Sequence, residues 1–269
     1  MACSTLHEVE SPLSEFVQAY KDTNRSPNPQ DPRLLVMQKF SEFRNCRQHD
    51  AHEWILRMLE VMEGTPDVVE PFEGVWEVNV AFEDCGHTNT HDETFRTLSL
   101  HLPEHGDTHC FQNAMQSIGE PEEVASTCDT CGDGVRKDAM KTFTVKTFPR
   151  HLIVQWKRFD RRGHKMTTRI DTPFTCSPYE LCGFISHRGN SVNAGHYTAC
   201  TLHGSQWYLF NDHHVIAIEP RHAKKAAEVA YITMWSIAHS VSPDPTEVVG
   251  GRRGGASGNS ATAVTGSKK

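Results

Sequence analysis

The chain has 269 residues, is 37% hydrophobic and 23% charged, and carries a formal net charge of −7. That balance supports a sizeable core and excludes wholesale disorder, while the acidic sum argues against general nucleic-acid binding and suits, weakly, a basic partner. Nine cysteines without disulfide-framework spacing, no signal-peptide pattern and no run of about 18 apolar residues point to a monomer with free or metal-bound thiols, in a reducing cytoplasmic or nuclear compartment and without a membrane span.

In chain order, the first 65 residues read as helical. Asn24 to Pro32 holds three prolines and is expected to be an exposed loop. From Pro32, Leu34, Leu35, Met37 and Phe40 take up helical spacing. Ala51, Trp54, Ile55, Met58, Leu59 and Met62 then follow the i, i+3, i+4, i+7 rule, and Gly64 and Pro66 stop that helix. After residue 72 the period changes to two. Trp76, Val78, Val80 and Phe82 alternate with their neighbours, as do Leu98, Leu100 and Leu102, and Phe143, Val145 and Thr147. Further strands are expected over 151–159, 179–186, 196–202, 206–210 and 231–237. Helices first and many strands afterwards indicate an α+β fold with a largely antiparallel sheet. Residues 238–269 lose the pattern and read as a disordered tail. With no interleaved aromatics it makes a poor nucleic-acid arm.

The chemistry sits late in the chain. His196 follows Gly195 on one strand, and Asn211-Asp212 closes the next. A general base needs a fixed tautomer and ring position, and an Asn or Asp accepting from one ring nitrogen supplies both. Gly195 would let a substrate backbone come close. On spacing alone, the competing reading is a core histidine and a turn Asn-Asp.

The segment His187-Arg188-Gly189-Asn190, Gly195-His196-Tyr197-Thr198-Ala199 and Trp207 through Phe210-Asn211-Asp212 resembles the histidine box of the ubiquitin-specific proteases. Gln48-His49-Asp50-Ala51-His52-Glu53-Trp54 is similar to a helix start of that family. Phe72-Glu73-Gly74, Cys85-Gly86-His87-Thr88, Trp156-Lys157-Arg158-Phe159 and Tyr179-Glu180-Leu181-Cys182-Gly183 follow in the family's order. The resemblance covers residues 11–237. It implies a papain-like thumb, palm and fingers: a catalytic domain over 1–237, N-terminally incomplete, divided into a thumb remnant (1–70), fingers and palm (71–148) and palm with histidine box (149–237). It also implies cysteine-dependent cleavage of the isopeptide bond after the last glycine of ubiquitin, with ubiquitin or ubiquitinated proteins as partners and no catalytic cofactor. His196 would be the base and Asn211 its orienting group, with Asp212 sharing that task or holding the oxyanion. Asp50 would bind the basic tail of ubiquitin, although its position equally suits a helix N-cap. Gly195 and Tyr197 would line a channel narrow enough to reject side chains.

The family's nucleophile lies in a Gly-Asn-Thr-Cys-Tyr-Met-Asn-Ser box at the start of a helix, where the dipole lowers the thiol pKa. No such box is present here. Counting back from Pro12-Leu13, which resembles the segment that follows the box, places the nucleophile just upstream of Met1. Cys3 is the candidate in this region, but it is about five residues too close to Pro12 and nothing upstream of it supplies an oxyanion Asn. Its competing role is that of a small apolar residue on a helix remnant; Cys46 is the next candidate. The expectation is therefore a deubiquitinase represented without its nucleophile, by truncation or as an enzyme-dead relative. The alternative is a non-catalytic ubiquitin-binding module or scaffold.

Cys128-Asp129-Thr130-Cys131 with Gly132 forms half of a zinc ribbon. The family's second Cys-x-x-Cys is here Phe82-Glu83-Asp84-Cys85, so one thiol is replaced. Cys85, Cys128 and Cys131, with His87 as fourth ligand, make a set suited to a structural zinc at the tip of the fingers. Cys110, Cys176, Cys182 and Cys200 lack ligand spacing and read as core or surface thiols.

Overall fold

The computed structural model describes residues 30–237 apart from 46, 65, 103–107, 161–162 and 192–193. Cys3, Cys46 and the expected tail lie outside the described residues. Helix α1 (Gln30–Lys39) leads through a 3₁₀ turn to α2 (Ala51–Val61) and the short α3 (Pro66–Val69). The loop expected up to Pro32 therefore ends three residues early, since Gln30, Asp31 and Pro32 are already helical. Proline is tolerated in a first helical turn because the N–H it lacks would have no partner there.

A four-stranded antiparallel sheet, ordered β2-β1-β6-β5, forms the fingers: β1 (Gly74–Phe82), β2 (Thr88–Phe95), β5 (Glu122–Thr127) and β6 (Arg136–Thr147). The inward residues of β1, Val78, Val80 and Phe82, pack with Ala139 and Cys128 into a small core. The palm is an eight-stranded sheet in the order β13-β12-β11-β10-β14-β7-β3, with β9 on β10. Its strands are β3 (Leu98–His101), β7 (His151–Lys157), β9 (Thr175–Cys176), β10 (Tyr179–Ser191), β11 (Ala194–His203), β12 (Gln206–Asn211), β13 (His214–Ile218) and β14 (Ile232–Ile237). Its neighbours run antiparallel except β3 beside β7. A third, two-stranded parallel pair joins β4 (Thr108–Cys110) to β8 (Arg169–Asp171).

The near-continuous apolar run of β7 follows from burial on both faces. Leu152, Val154 and Trp156 enter the large core with Leu181, Phe184, Trp207 and Trp235, covered by α4 (Phe111–Gln116) and α5 (Pro220–Ala227). Ile153 points the other way and meets Leu59, Tyr231 and Ile232, over which α2 lays Ala51 and Ile55. The helical stripe read from the sequence thus fixes α2 to the palm beside β10, β11 and β14.

Arg158, 1% exposed, finishes this region. Its guanidinium donates to the backbone carbonyls of Ala230 (2.5 Å), Thr168 (2.7 Å), Glu228 (3.1 Å) and Met166 (3.4 Å). Burial lowers its pKa to about 10, which leaves it charged at neutral pH. One side chain therefore satisfies carbonyls from the chain before β8 and from the turn between α5 and β14.

Candidate functional site

An open cleft of about 710 Å³ separates α1, the 3₁₀ turn and the start of α2 from strands β10 to β12. Phe43, Ala51 and Trp54 wall one side; Ile185, Ala199 and Phe210 wall the other, with Asp50, Tyr197, Thr198 and Asp212 also lining it. No cysteine lines it among the described residues.

His196 stands on β11 next to Tyr197. Asn211 is the last residue of β12, and the turn Asp212-His213 leads straight back into β13 through the Asn211–His214 pair. Asp212 takes φ 51°, the left-handed region that Asp tolerates better than most residues. His196 Nε2 donates to Asn211 Oδ1 at 2.6 Å. An amide oxygen only accepts, so this bond places the proton on Nε2 and leaves Nδ1 as the basic atom of the ring. Asp212 Oδ2 lies 3.9 Å from the same Nε2 and is 72% exposed. Asn211 is therefore the orienting partner in this geometry, and Asp212 a more distant charge.

Asp50 caps α2: Oδ1 accepts from the backbone N–H groups of His52 (2.7 Å) and Glu53 (3.1 Å). Its Oδ2 accepts from the Tyr231 hydroxyl at 2.6 Å, and that hydroxyl accepts from Gln155 Nε2 at 2.9 Å. Burial, then the Asp50 charge, raises the pKa of Tyr197; burial, then its bond to Asp50, raises that of Tyr231, so both phenols stay neutral. The Tyr197 hydroxyl accepts from the Ala51 N–H at 3.4 Å. The start of α2 is thus tied to β11 and β14 at the edge of the cleft.

Gln48, just before this cap, makes a two-point pair with Gly195. Its Oε1 accepts from the Gly195 N–H at 2.8 Å, and its Nε2 donates to the Gly195 carbonyl at 2.9 Å. Beneath Gly195 lies His187, 4% exposed, its ring 4.8 Å from that of Tyr197. A Cβ at Gly195 would come within 2.0 Å of His187 Nε2. The protein's own histidine makes a close approach that demands glycine here, a reason beside the one expected from the sequence. Burial first, then Lys165, lowers the pKa of His187.

At the far end of the fingers, Cys85, His87, Cys128 and Cys131 bring their donor atoms within 4.8 Å of one another. Cys128 Sγ is 3.7 Å from Cys85 Sγ and 3.6 Å from His87 Nδ1, and Cys131 Sγ is 3.7 Å from His87 Nδ1. Two glycines in the left-handed region, Gly86 (φ 68°) and Gly132 (φ 63°), turn the two ligand loops. The Cys131 backbone N–H leads the interactions that draw the Cys128 thiol down to about 6. Three thiols and an imidazole at these separations fit a tetrahedral soft-metal site. Phe82, which stands where the resemblance expected a thiol, is buried in the core below.

A sequence model of the ubiquitin carboxyl-terminal hydrolases matches residues 3–235. The chain belongs to this family. An Arabidopsis thaliana relative, ubiquitin carboxyl-terminal hydrolase 23, is 30% identical over 216 residues, covering 66% of this chain and 24% of the relative. The Saccharomyces cerevisiae ubiquitin carboxyl-terminal hydrolase 8 is 29% identical over 195 residues, 62% of this chain and 40% of that protein. The chain thus spans less than half the length of these relatives. Among solved structures, a chain of the SAGA DUB module Ubp8/Sgf11/Sus1/Sgf73 bound to monoubiquitin superposes with a TM-score of 0.61 at 26% identity, over 77% of this chain and 52% of that one. The same module bound to ubiquitin aldehyde gives 0.64 at 23% identity, over 86% and 61%, a likeness of fold.

Members of the ubiquitin carboxyl-terminal hydrolase family of this type are cysteine hydrolases that need no catalytic cofactor. Of the expected site residues, Asp50, Tyr197 and Asp212 line one cleft; Gly195, His196 and Asn211 are chain neighbours of its lining, and Cys85, His87, Cys128 and Cys131 gather at another place. Of the remaining thiols, Cys200 is buried and Cys176 and Cys182 are half-buried, apart from both sites; the Cys110 side chain lies outside the described set. In the sequence, Gln48 and His187 stand out only as parts of motifs and Tyr231 carries no role. Their signals were weak: an exposed Gln before a cap, a histidine among several, a tyrosine at a strand start.

Proposed function

We propose that this chain supplies the base and the substrate-binding parts of a thiol-dependent deubiquitinase, which hydrolyses the isopeptide bond after the last glycine of ubiquitin. The observation that carries the reading is the 2.6 Å bond from His196 Nε2 to Asn211, which leaves Nδ1 as the accepting nitrogen of the neutral ring. A cysteine thiolate attacks the carbonyl carbon, and the imidazolium at His196 returns its proton to the leaving lysine amine. The imidazole then activates a water that hydrolyses the thioester. Asp50, whose charge faces the cleft, is the acceptor for a basic ubiquitin tail, alongside its role as cap. At the tip of the fingers we propose a structural zinc ion held by Cys85, His87, Cys128 and Cys131, stabilising the sheet and taking no part in the reaction.

One observation favours a second reading, that of a non-catalytic ubiquitin binder: no described cysteine lines the cleft. Incubation with ubiquitin carrying a thiol-reactive group at its C-terminus, followed by intact mass, separates the two. An adduct that disappears in Cys3→Ala and in His196→Ala makes Cys3 the nucleophile of an active enzyme. Reversible binding without an adduct selects the second reading, and absence of both overturns the ubiquitin assignment.

A further inference from the structure

We propose that the Gln48 amide is a displaceable latch on the unpaired edge of β11, holding a place that an extended substrate tail takes by strand addition. The inference rests on the deubiquitinase reading and adds to it a residue that competes with the tail.

β11 is paired unequally on its two sides. Toward β10 its pairing reaches Arg188–His196 and Ser191–Ala194. Toward β12 it starts only at Ala199–Phe210. The stretch from Ala194 to Thr198 therefore keeps one open edge, in line with the end of β12 at Asn211. Backbone groups alternate in direction along a strand, so one residue in two presents both its N–H and its C=O to that edge. Gly195 is such a residue, and Gln48 takes both of its groups, at 2.8 and 2.9 Å. Two bonds exchanged with a single residue form the pattern of a paired position in an antiparallel ladder. A primary amide offers the same acceptor and donor as a peptide unit. Gln48 thus imitates one residue of a missing strand.

The imitation is easily reversed. Gln48 is exposed and both bonds are open to solvent, where hydrogen bonds exchange with water at little net cost. Gly195 itself is held from below by the buried His187 ring, so the edge stays in place when the latch leaves. A peptide paired there runs beside His196, the next residue. Recognition through backbone groups selects an extended chain whatever its side chains, and strand addition is a recurring way to gain such recognition.

The test compares the affinity of the wild-type chain and Gln48→Ala for two probes: intact ubiquitin and ubiquitin lacking its last two residues. Losing two exposed bonds from the free state predicts that Gln48→Ala binds intact ubiquitin about fivefold more tightly, with shortened ubiquitin unaffected. The Gly195 amide should exchange faster in free Gln48→Ala than in the free wild type, and equally slowly in both complexes. Should Gln48→Ala not fold, Gln48→Met, of similar size but with neither the amide donor nor its acceptor, carries the same expectation. Wild-type binding that is unchanged or weakened by the substitution overturns the latch and leaves the deubiquitinase reading standing. Absence of any ubiquitin binding by the wild type overturns both.

Discussion

The palm sheet carries His196 and Asn211 at strand ends above a core that includes Trp156, Leu181, Phe184, Trp207 and Trp235. The finger sheet carries Cys85, His87, Cys128 and Cys131 above a core of only Val78, Val80, Phe82, Cys128 and Ala139. At the palm, each group is oriented by a bond the fold already makes: Asn211 to His196, Asp50 to Tyr231, Gln48 to Gly195. At the fingertip, one of the packed core residues, Cys128, is itself a donor. A base must be positioned before its substrate arrives, so its support has to come from packing and hydrogen bonds. A convergent soft-donor group works the other way, because the ion it binds contributes folding free energy.

The sharpest way to break this contrast is to remove the zinc proposed for the fingertip. Structural zinc supplies on the order of 10 kcal/mol of apparent folding energy in small domains near neutral pH. Chelation or Cys128→Ser should therefore abolish zinc stoichiometry and the amide protection of β1, β2, β5 and β6, while β7, β10 and β14 stay protected. Equal loss in both sheets, measured by hydrogen exchange, would refute the division.

The palm has its own weak point. Arg158→Met takes this donor from the buried carbonyls of Ala230, Thr168 and Met166, while Glu228 keeps the Ile170 N–H, and should cost about 3–5 kcal/mol in chemical denaturation, the range for breaking a buried charged network. A cost under about 1 kcal/mol, the scale of a single ordinary hydrogen bond, would mean that water replaces the guanidinium.

Asp50 separates capping from charge. Asp50→Ala should lose about 1–2 kcal/mol with the cap and its bond to Tyr231. Asp50→Asn, still a good cap, should keep most of that stability yet bind a basic tail less well. Equal affinity in the two forms would remove Asp50 from the binding surface.

The smallest effect is on pH. Burial holds the pKa of His52, His151 and His187 below the ordinary 6.5. Their unfolded forms bind protons more readily, so the stability they contribute is complete above about pH 6.5 and falls as the pH drops from there toward the folded values. Each ring accounts for at most about 1.4 kcal/mol per pH unit. The urea midpoint at pH 5.5 should lie below that at pH 7.5, and by less in His187→Gln.

The same two regions differ in how much the sequence discloses. In the palm, the apolar runs at Leu152–Trp156 and Ile232–Trp235 and the stripe from Ala51 to Leu59 announce their elements, because burial wrote them. In the fingers, β2 reads Thr-Asn-Thr-His-Asp-Glu-Thr-Phe and buries only Phe95. Its order comes from the ladder to β1 and from pairs such as Thr90 to Asn79 and Lys146 to Asp92, which no periodicity reveals. β13 was missed for a related reason, since Val215 and Ile216 are exposed on an edge strand. The pairing of His196 with Asn211 and the convergence of Cys85, His87, Cys128 and Cys131 were readable because motif and spacing agree. Gln48 was not, because a side chain standing in for a strand leaves no pattern of its own.

The most direct measurement is hydrogen exchange of the chain with and without ubiquitin. The account predicts slowed exchange from Gly195 to Ala199, at the end of β12 and at the first turn of α2. Exchange unchanged at all three, or slowed only elsewhere, would contradict a ubiquitin tail lying in the cleft beside His196.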